Sequence, residues 1–301
     1  MAQRIGDGRH AEVVFTSDWA ADAARRDFTM NALYCDAAGK IYDYTNGYAD
    51  VLARRVRFVG VPSQRIKEDY LRILRFFRFH ARFGQGALDE EGLFACKKLR
   101  AGIKNLSAER IRVEILKLLE APAAAATLAI MRDAGILDVI IPCTDDLTIV
   151  DRLPCDGILR LLAISSEPFK LKDRLKLSNE EAARISAALN APRLSPGLRD
   201  TERRVILYQI GVATWRDRAA LDQAINADDR EWVGLAALPD QWLVPKFPLA
   251  GQNLLDNGFQ PGPEIGRILS QVEDWWLAKN FEPGHDELLA RALNLKGKNH
   301  G

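Results

Sequence analysis

The chain has 301 residues, is 48% hydrophobic and 28% charged, and carries a formal net charge of +1. This composition is ordinary for a soluble globular protein that is long enough to form more than one domain. It excludes a membrane-spanning protein, because no apolar run approaches the roughly eighteen residues that would cross a bilayer. The sequence opens without the apolar stretch of a signal peptide, and the four cysteines form no CxxC pair, so we expect reduced thiols in a cytoplasmic protein.

The first sixty residues predict a mixed α/β fragment that is too small to be a complete domain. Residues 33–35 and 40–43 flank the turn signal DAAG and predict a β-hairpin. Short strands are also expected at residues 11–16 and 56–59, and a helical stretch at residues 18–31.

The residues after Pro62 predict only helices. Residues 64–83 carry apolar side chains at helical spacing, with Ser63 as the N-cap and Gly84 beyond the end. Further helices are expected at residues 123–134, 199–211, 216–226, 263–279 and 286–294. The predicted fold class is therefore mostly α, with a partial α/β fragment followed by a long all-helical region.

Positive charge is concentrated in one part of the chain. Residues 50–119 contain 16 Lys or Arg against 8 Asp or Glu, a local net charge of +8, which leaves −7 for the remainder. A basic segment within a near-neutral chain is typical of a surface that binds a polyanion. A solvated helical surface with salt bridges shows the same pattern, so charge alone leaves both interpretations open.

A row of charged residues stands out within the helix predicted at residues 64–83. Asp69, Arg72, Arg75 and Arg78 recur every three residues, and residues three apart are neighbours on a helix. The carboxylate of Asp69 beside the guanidinium of Arg72 presents an acceptor next to a fork of donors. Arg75 and Arg78 continue the row with groups that suit phosphates. A surface helix with one ordinary ion pair and solvated arginines has the same spacing.

A paired aspartate and arginine complement the edge of two of the four bases. Cytosine and adenine both carry an exocyclic amino donor beside a ring-nitrogen acceptor. Uracil and guanine place a carbonyl where the aspartate needs a donor, and polar groups left unpaired in a closed site are costly. The pair of Asp69 and Arg72 is therefore suited to accept C and A and to reject U and G.

A second polar segment, RRDFTMNAL at residues 25–33, precedes the predicted hairpin. Its arginines are suited to hold a triphosphate, and the carboxylate of Asp27 to accept a hydrogen bond from a ribose hydroxyl. Asn31 is suited to bind the sugar or to brace a loop. Local pairing of Asp27 with the arginines at a helix end accounts for the segment as well.

Together these segments resemble the bacterial class II CCA-adding tRNA nucleotidyltransferase and poly(A) polymerase family. Residues 25–33 are similar to its RRDFTxNAL motif, residues 41–50 (IYDYTNGYAD) to its D-x-x-x-G-x-x-D connector, and residues 68–75 (EDYLRILR) to its EDxxRxLR motif. Several motifs in this order are more specific than any one alone. The resemblance covers most of the chain, from about residue 10 to about residue 280.

The resemblance implies template-independent addition of C and A to tRNA 3′ ends, with CTP and ATP as substrates. It also implies a head remnant at residues 1–60, a neck for nucleotide selection and RNA binding at residues 61–145, and a helical body and tail that bind tRNA at residues 146–301. A poly(A) polymerase of the same family, or a non-catalytic RNA-binding remnant, remains an alternative. The sequence gives no indication of oligomeric state.

The family's nucleotide site is expected on the two polar segments. The resemblance implies that Arg26 contacts the phosphate or sugar of the incoming nucleotide, and that Glu68 orients Arg72. The expected nucleotide-binding residues are Arg26, Asp27, Asn31, Glu68, Asp69, Arg72, Arg75 and Arg78.

The basic neck is the expected contact for the tRNA backbone. Phosphate contacts fix the position of a nucleic acid without reading its sequence, and they weaken as salt rises. The expected RNA-binding residues are Arg82, Lys97, Lys98, Arg100 and Lys104.

Two family motifs are missing from the sequence. Family members begin with a Gly-Gly loop that holds the triphosphate and an Asp-x-Asp strand that holds metal ions, and this sequence contains neither pattern. We therefore expect an N-terminally truncated head without catalytic carboxylates, and a chain that is inactive alone. Mg²⁺ is expected for a full-length family member, where it would activate the primer hydroxyl and stabilise the leaving pyrophosphate.

Overall fold

The computed structural model describes residues 2–5, 12–15, 18–226 and 231–297, and these residues are mostly helical. The predicted fold class, mostly α with a small α/β part near the N-terminus, is confirmed. The chain forms two compact units, Met1–Ser186 and Ala187–Gly301. This partition does not separate a head from a neck, so the three-part division stays a prediction. Within the described ranges, no helix combines the length and the apolar character needed to cross a bilayer.

The described strands form two separate antiparallel hairpins. β1 (Ala2–Ile5) pairs with β2 (Glu12–Phe15), with Ala2 opposite Phe15. β2 lies within the strand predicted at residues 11–16, whose two end residues fall outside the described ranges.

The second hairpin is the one that the sequence predicts. β3 (Leu33–Cys35) pairs with β4 (Ile41–Asp43), with Tyr34 opposite Tyr42. Asp36 closes the turn by accepting hydrogen bonds from the backbone amides at positions 38 and 40. A side chain that bonds to backbone two residues ahead is the reason that aspartate favours turns.

Residues 18–31 form a short helix and a 3-10 turn, so the prediction of one helical stretch is wrong. α1 (Trp19–Ala24) is followed by the turn Thr29–Asn31, and the chain at Phe28 is extended, with φ −125° and ψ 148°. The buried ring of Phe28 lies 5.1 Å from that of Phe58, and the two residues form an isolated β-bridge. Burial of this ring overrides local helical preference, and the bridge stands in place of the strand predicted at residues 56–59.

The helix predicted at residues 64–83 is broken in two. α2 (Gly47–Leu52) is followed by α3 (Pro62–Glu68) and α4 (Leu71–Phe83). Asp69 between them is extended, with φ −156° and ψ 109°. Its Oδ1 accepts a hydrogen bond of 3.0 Å from the amide of Leu71, as aspartate side chains often do for a free backbone amide at the start of a helix.

The ends of this helical pair test two further expectations. The N-cap of α3 is Val61 with Pro62 in the first turn, so the prediction of Ser63 as the cap is wrong. Proline suits the first helical turn because its missing N–H has no partner there. Gly84 ends α4 as predicted.

α4 is central to the core of the first unit. Its buried Ile73, Leu74 and Phe77 belong to the same unit as the buried Ile115 and Leu118 of α6 (Ala108–Leu119). Each fully buried side chain of this kind stabilises the fold by about 1.5–3 kcal/mol. The remaining helices of this unit are α5 (Glu90–Leu99), α6 (Ala108–Leu119), α7 (Ala124–Asp133), α8 (Leu137–Ile140), α9 (Gly157–Ile164) and α10 (Leu171–Leu175), and α11 (Asn179–Asn190) crosses the boundary between the units.

The second unit is built around buried tryptophans. Trp215 and Trp276 each belong to a different cluster of buried apolar side chains. The helices predicted at residues 199–211 and 216–226 form one element, kinked at Gly211, where φ is +78°. The helices of the second unit are α12 (Asp200–Ile225), α13 (Glu231–Ala236), α14 (Leu238–Gln241), α15 (Gly251–Asp256), α16 (Pro263–Ala278) and α17 (His285–Gly297).

Candidate nucleotide and RNA interface

The end of α1 holds a carboxylate that pairs with both arginines of the first polar segment. Asp22 is buried and lies 2.9 Å from Nη2 of Arg25 and 2.7 Å from Nη2 of Arg26. It also accepts a hydrogen bond of 2.6 Å from the hydroxyl of Tyr34, and this bond, with the two arginines, holds the pKa of Asp22 below its ordinary value. Arg26 is thus anchored, while 46% of its side chain remains exposed to solvent.

Asp27 joins the first polar segment to the second. Its Oδ2 receives Nε of Arg75 at 2.7 Å, although 48 residues separate the two in sequence. Its Oδ1 receives the amide of Phe28 at 2.9 Å and Nδ2 of Asn31 at 3.0 Å. Burial raises the pKa of Asp27, but the hydrogen bond from Asn31 and the charge of Arg75 outweigh it and hold that pKa below its ordinary value. Of the two roles expected for Asn31, the structure displays the bracing of a loop.

A clamp of two arginines and one glutamate connects α3 to α4. Oε2 of Glu68 accepts hydrogen bonds of 2.5 Å from Arg65 and of 2.5 Å from Arg72. Arg72 also donates through Nη1 to the carbonyl of Arg65 at 2.6 Å. Both of these contacts use Nη1, and within the described residues Nε and Nη2 of Arg72 make no hydrogen bond.

Arg65 extends the clamp to the first polar segment. Its Nη2 donates to the carbonyls of Arg25 at 2.5 Å and Arg26 at 2.7 Å. The backbone of the segment that precedes Asp27 is therefore fixed by a side chain from α3.

Asp69 lies at the break between α3 and α4 rather than within a helix. The residues Asp69 and Arg72 are still joined at the start of α4, where the amide of Arg72 donates to the carbonyl of Asp69 at 3.1 Å. Oδ2 of Asp69 pairs with Arg110 of α6 at 2.7 Å, and 35% of its side chain is exposed. The predicted placement of both residues on one continuous helix is wrong: the carboxylate of Asp69 pairs with Arg110, whereas the guanidinium of Arg72 pairs with Glu68.

The arginines later in α4 are ion-paired inside the first unit. Nε of Arg78 lies 2.9 Å from the buried carboxylate of Glu114, and Nη1 of Arg75 lies 3.9 Å from it. Burial lowers the pKa of Arg78. The guanidinium of Arg78 also stacks 4.6 Å above the ring of Phe79. These contacts fix both arginines against α6.

The connector motif at residues 41–50 has a structural basis in this fold. Asp43 accepts hydrogen bonds of 2.9 Å from the amides of Gly47 and Tyr48. Gly47 packs so tightly that a Cβ there would lie 2.1 Å from the carbonyl oxygen of Thr29. Asp50 is fully buried and accepts a 2.6 Å hydrogen bond from the hydroxyl of Thr29. Its carboxylate also forms ion pairs with Arg55 and Arg57. The motif thus fixes the loop that carries residues 25–31.

The expected RNA-binding residues are all exposed. Arg82 lies in the last turn of α4, whereas the other four lie at the end of α5 and in the 3-10 helix that follows it. Arg100 donates to the carbonyl of Lys97 at 2.7 Å. The exposed residues are Arg82, Lys97, Lys98, Arg100 and Lys104.

The described residues do not supply a metal site. Among them, no group of three or more His, Cys, Asp or Glu side chains is arranged to hold an ion. The residues present therefore do not fit the Mg²⁺ that the resemblance implies. The four cysteines are free thiols, and burial raises the pKa of Cys143 to about 11.

Four charged residues of this interface were not predicted from the sequence, namely Asp22, Arg65, Arg110 and Glu114. The spacing of Arg65 three residues before Glu68 is a signal that was available. The pairing of Arg110 with Asp69 and of Glu114 with Arg78 joins α6 to the α3–α4 region, and no local pattern indicates it.

Two family models match the chain. The Poly A polymerase head domain matches residues 2–57, and a model described as the probable RNA and SrmB-binding site of polymerase A matches residues 87–148. The two matches cover the segment with the first polar motif and the segment with the exposed lysines.

Curated relatives extend the match over most of the chain. The mitochondrial CCA tRNA nucleotidyltransferase 1 of Mus musculus is 35% identical over 94% of this chain and 69% of its own length. The same enzyme of Homo sapiens is 33% identical over 94% of this chain and 69% of its own length. The CCA-adding enzyme of Latilactobacillus sakei is 30% identical over 88% of this chain and 70% of its own length.

Solved structures share the fold. The Bacillus stearothermophilus CCA-adding enzyme in complex with CTP has a TM-score of 0.77 at 22% identity, over 96% of this chain and 77% of that one. The Thermotoga maritima CCA-adding enzyme complexed with tRNA has a TM-score of 0.64 at 20% identity, over 94% of this chain and 75% of that one.

Proposed function

Because this chain belongs to the family of CCA-adding enzymes and poly(A) polymerases, we propose that it serves template-independent addition of C and A to tRNA 3′ ends from CTP and ATP. Its relatives in mitochondria and bacteria carry the name of that activity. The observation that carries the proposal is that Asp69 lies at the start of α4 with 35% of its side chain exposed, three residues before an Arg72 that Glu68 holds in place.

We propose that Asp69 and Arg72 read the base of the incoming nucleotide. Oδ2 of Asp69 now receives Arg110, and the exocyclic amino group of C or A offers the same kind of donor. Arg72 would donate from its Nε and Nη2 edge to the ring-nitrogen acceptor beside that amino group. U and G present a carbonyl to the carboxylate, and this unpaired contact opposes their binding.

Other residues of the interface would hold the nucleotide and the pair in position. Arg26 combines an anchor at Asp22 with a half-exposed guanidinium, which suits a phosphate or sugar contact. Asp27, Asn31 and Arg75 would keep the first polar segment against α4, and Arg78 would keep α4 against α6.

We propose that the exposed lysines of α5 bind the tRNA backbone. Lys97 and Lys98 sit in the last turn of α5, where their ammonium groups are accessible to phosphates. Each phosphate neutralised by a cation releases counterions, so tRNA affinity should fall steeply between low and physiological salt. We place this activity in the cytoplasm, which the free thiols support.

Equilibrium binding of nucleoside triphosphates to the chain with a tRNA that lacks CCA tests the base-reading pair. By calorimetry, CTP and ATP should bind more tightly than UTP and GTP, and Asp69→Asn should abolish that preference. Asp133→Asn, in which an aspartate side chain that is 80% exposed is changed in the same way, should retain it. Unchanged discrimination in Asp69→Asn would show that another group reads the base.

A poly(A) polymerase of the same family is the second candidate, because both matching family models carry that name. The two activities differ in their response to CTP, which a poly(A) enzyme ignores. Binding of ATP without CTP in the same calorimetric series would favour the poly(A) function.

A further inference from the structure

A cavity between α4 and α6 lies outside the base-reading pair. Its volume is about 360 Å³, which is within the range of small-ligand sites. It opens beside the last two turns of α4, beyond the positions of Asp69 and Arg72. Its lining residues are Arg78, Phe79, Arg82, Phe83, Lys117 and Glu120.

One wall of the cavity is aromatic. The rings of Phe79 and Phe83 lie 5.7 Å apart with an interplanar angle of 38°. Arg78 covers Phe79, and its ion pair with Glu114 holds it there. Phe83 is 50% exposed, although a ring of this size is usually buried, so it presents a free face to a ligand.

The rim of the cavity carries positive charge that the fold does not use. Arg82 and Lys117 are both exposed, and in the described part of the chain neither makes an ion pair or a side-chain hydrogen bond. Glu120 provides one carboxylate at the same cavity. Two cations, Arg82 and Lys117, beside the aromatic face of Phe83 are complementary to a ligand that has an aromatic ring and an anionic group.

We propose that this cavity binds one nucleotide unit, with its base stacked on Phe83 and its phosphate held by Arg82 and Lys117. Base stacking on aromatic side chains tolerates every base, and basic residues beside such rings follow the strand. The inference rests on the proposed function, since it gives the RNA strand a second point of attachment. It also assigns Phe83, a residue outside the family motifs, to RNA binding.

A six-nucleotide single-stranded RNA with a central 2-aminopurine tests the site, because stacking quenches the fluorescence of that base. The wild-type chain should bind it with quenching. Phe83→Ala should weaken binding on the order of ten-fold and remove the quenching, whereas Phe83→Tyr should keep both. Lys117→Ala should weaken binding and reduce the slope of log affinity against log salt by about 0.7.

Phe169→Ala is the matched control, since Phe169 is 75% exposed and does not line the cavity. Equal affinity and quenching in Phe83→Ala and Phe169→Ala would overturn the proposal. So would a salt slope that Lys117→Ala leaves unchanged, a result that does not depend on the folding of a phenylalanine variant.

Titration with AMP identifies the source of the nucleotide. Tighter binding of the RNA than of AMP assigns the cavity to a strand, and equal binding assigns it to a free nucleotide. The hexanucleotide lacks a tRNA body, so these measurements hold whether or not Asp69 discriminates among triphosphates. Failure at Phe83 and failure of the proposed function are thereby separate results.

Discussion

Replacing Asp27 with asparagine removes the carboxylate that joins the first polar segment to α4. Asparagine retains one oxygen that can accept from the backbone amide of Phe28 and from the side chain of Asn31. Its side-chain NH2 group then faces Arg75, and two hydrogen-bond donors cannot pair. The hydrogen bond from Nε of Arg75, at 2.7 Å, and the ion pair with its Nη2, at 2.5 Å, are therefore lost. Hydrogen bonds to charged groups contribute about 1.5–3 kcal/mol each. Because the Arg75 side chain is 31% exposed and Glu114 remains near it, we expect a net loss of about 2 kcal/mol.

Urea unfolding of the two proteins measures this loss. With a slope of about 2 kcal/mol/M, the midpoint of Asp27→Asn should lie about 1 M below that of the wild type at pH 7. Asp133→Asn changes an aspartate side chain that is 80% exposed, and it should shift the unfolding free energy by less than about 0.5 kcal/mol.

The pH dependence provides a second check. The folded-state pKa of Asp27 is lowered, whereas an unfolded aspartate protonates near pH 3.9. The stabilisation is therefore complete above about pH 3.9 and is lost as pH falls through the folded-state pKa. The difference between wild type and variant should shrink from pH 7 toward pH 3. An unchanged midpoint at pH 7, or a difference that is equal at both pH values, would refute the reasoning.

Three other perturbations have defined outcomes. Gly47→Ala places a Cβ 2.1 Å from the carbonyl oxygen of Thr29 and should destabilise the first unit by about 3 kcal/mol in thermal unfolding followed by circular dichroism. Burial lowers the pKa of His80, so the stability that neutral His80 contributes is complete above the unfolded pKa of about 6.5 and decreases as pH falls below it. The thermal midpoint of the wild type should therefore decline more on acidification than that of His80→Gln. An equal or smaller decline in the wild type would contradict this. Trp215→Phe removes the 3.1 Å hydrogen bond that the indole N–H donates to the carbonyl of Leu235, and it should lower the unfolding free energy of the second unit by about 2 kcal/mol. Hydrogen exchange should become faster at residues 187–226 and 231–297 only.

The sequence predicts the hairpin at residues 33–43 and most of the helices, because turn residues and apolar spacing are local signals. It misses the break at Asp69, since apolar spacing continues through residues 64–83 without interruption. The preference of aspartate for helix starts was the available indication. The strand expected at residues 56–59 fails because the buried ring of Phe28 determines the path there.

The candidate site was predictable in its residue types and less so in its contacts. The ion pairs of Asp22 with Arg25 and Arg26 follow from spacing along one helix. The pairing of Asp27 with Arg75 joins residues far apart in the chain, and only the folded structure brings them together. Whether the expected residues bind nucleotide and RNA stays a prediction.

The way Arg65 grips its neighbours has a practical consequence for mutagenesis. Arg65 donates hydrogen bonds to the main-chain carbonyl oxygens of residues 25 and 26, and every amino acid has such an oxygen. Substituting Arg26 alters its guanidinium while leaving that attachment in place. An Arg26 variant therefore keeps the attachment of its backbone to Arg65, and its effects arise from the lost guanidinium, including the ion pair with Asp22.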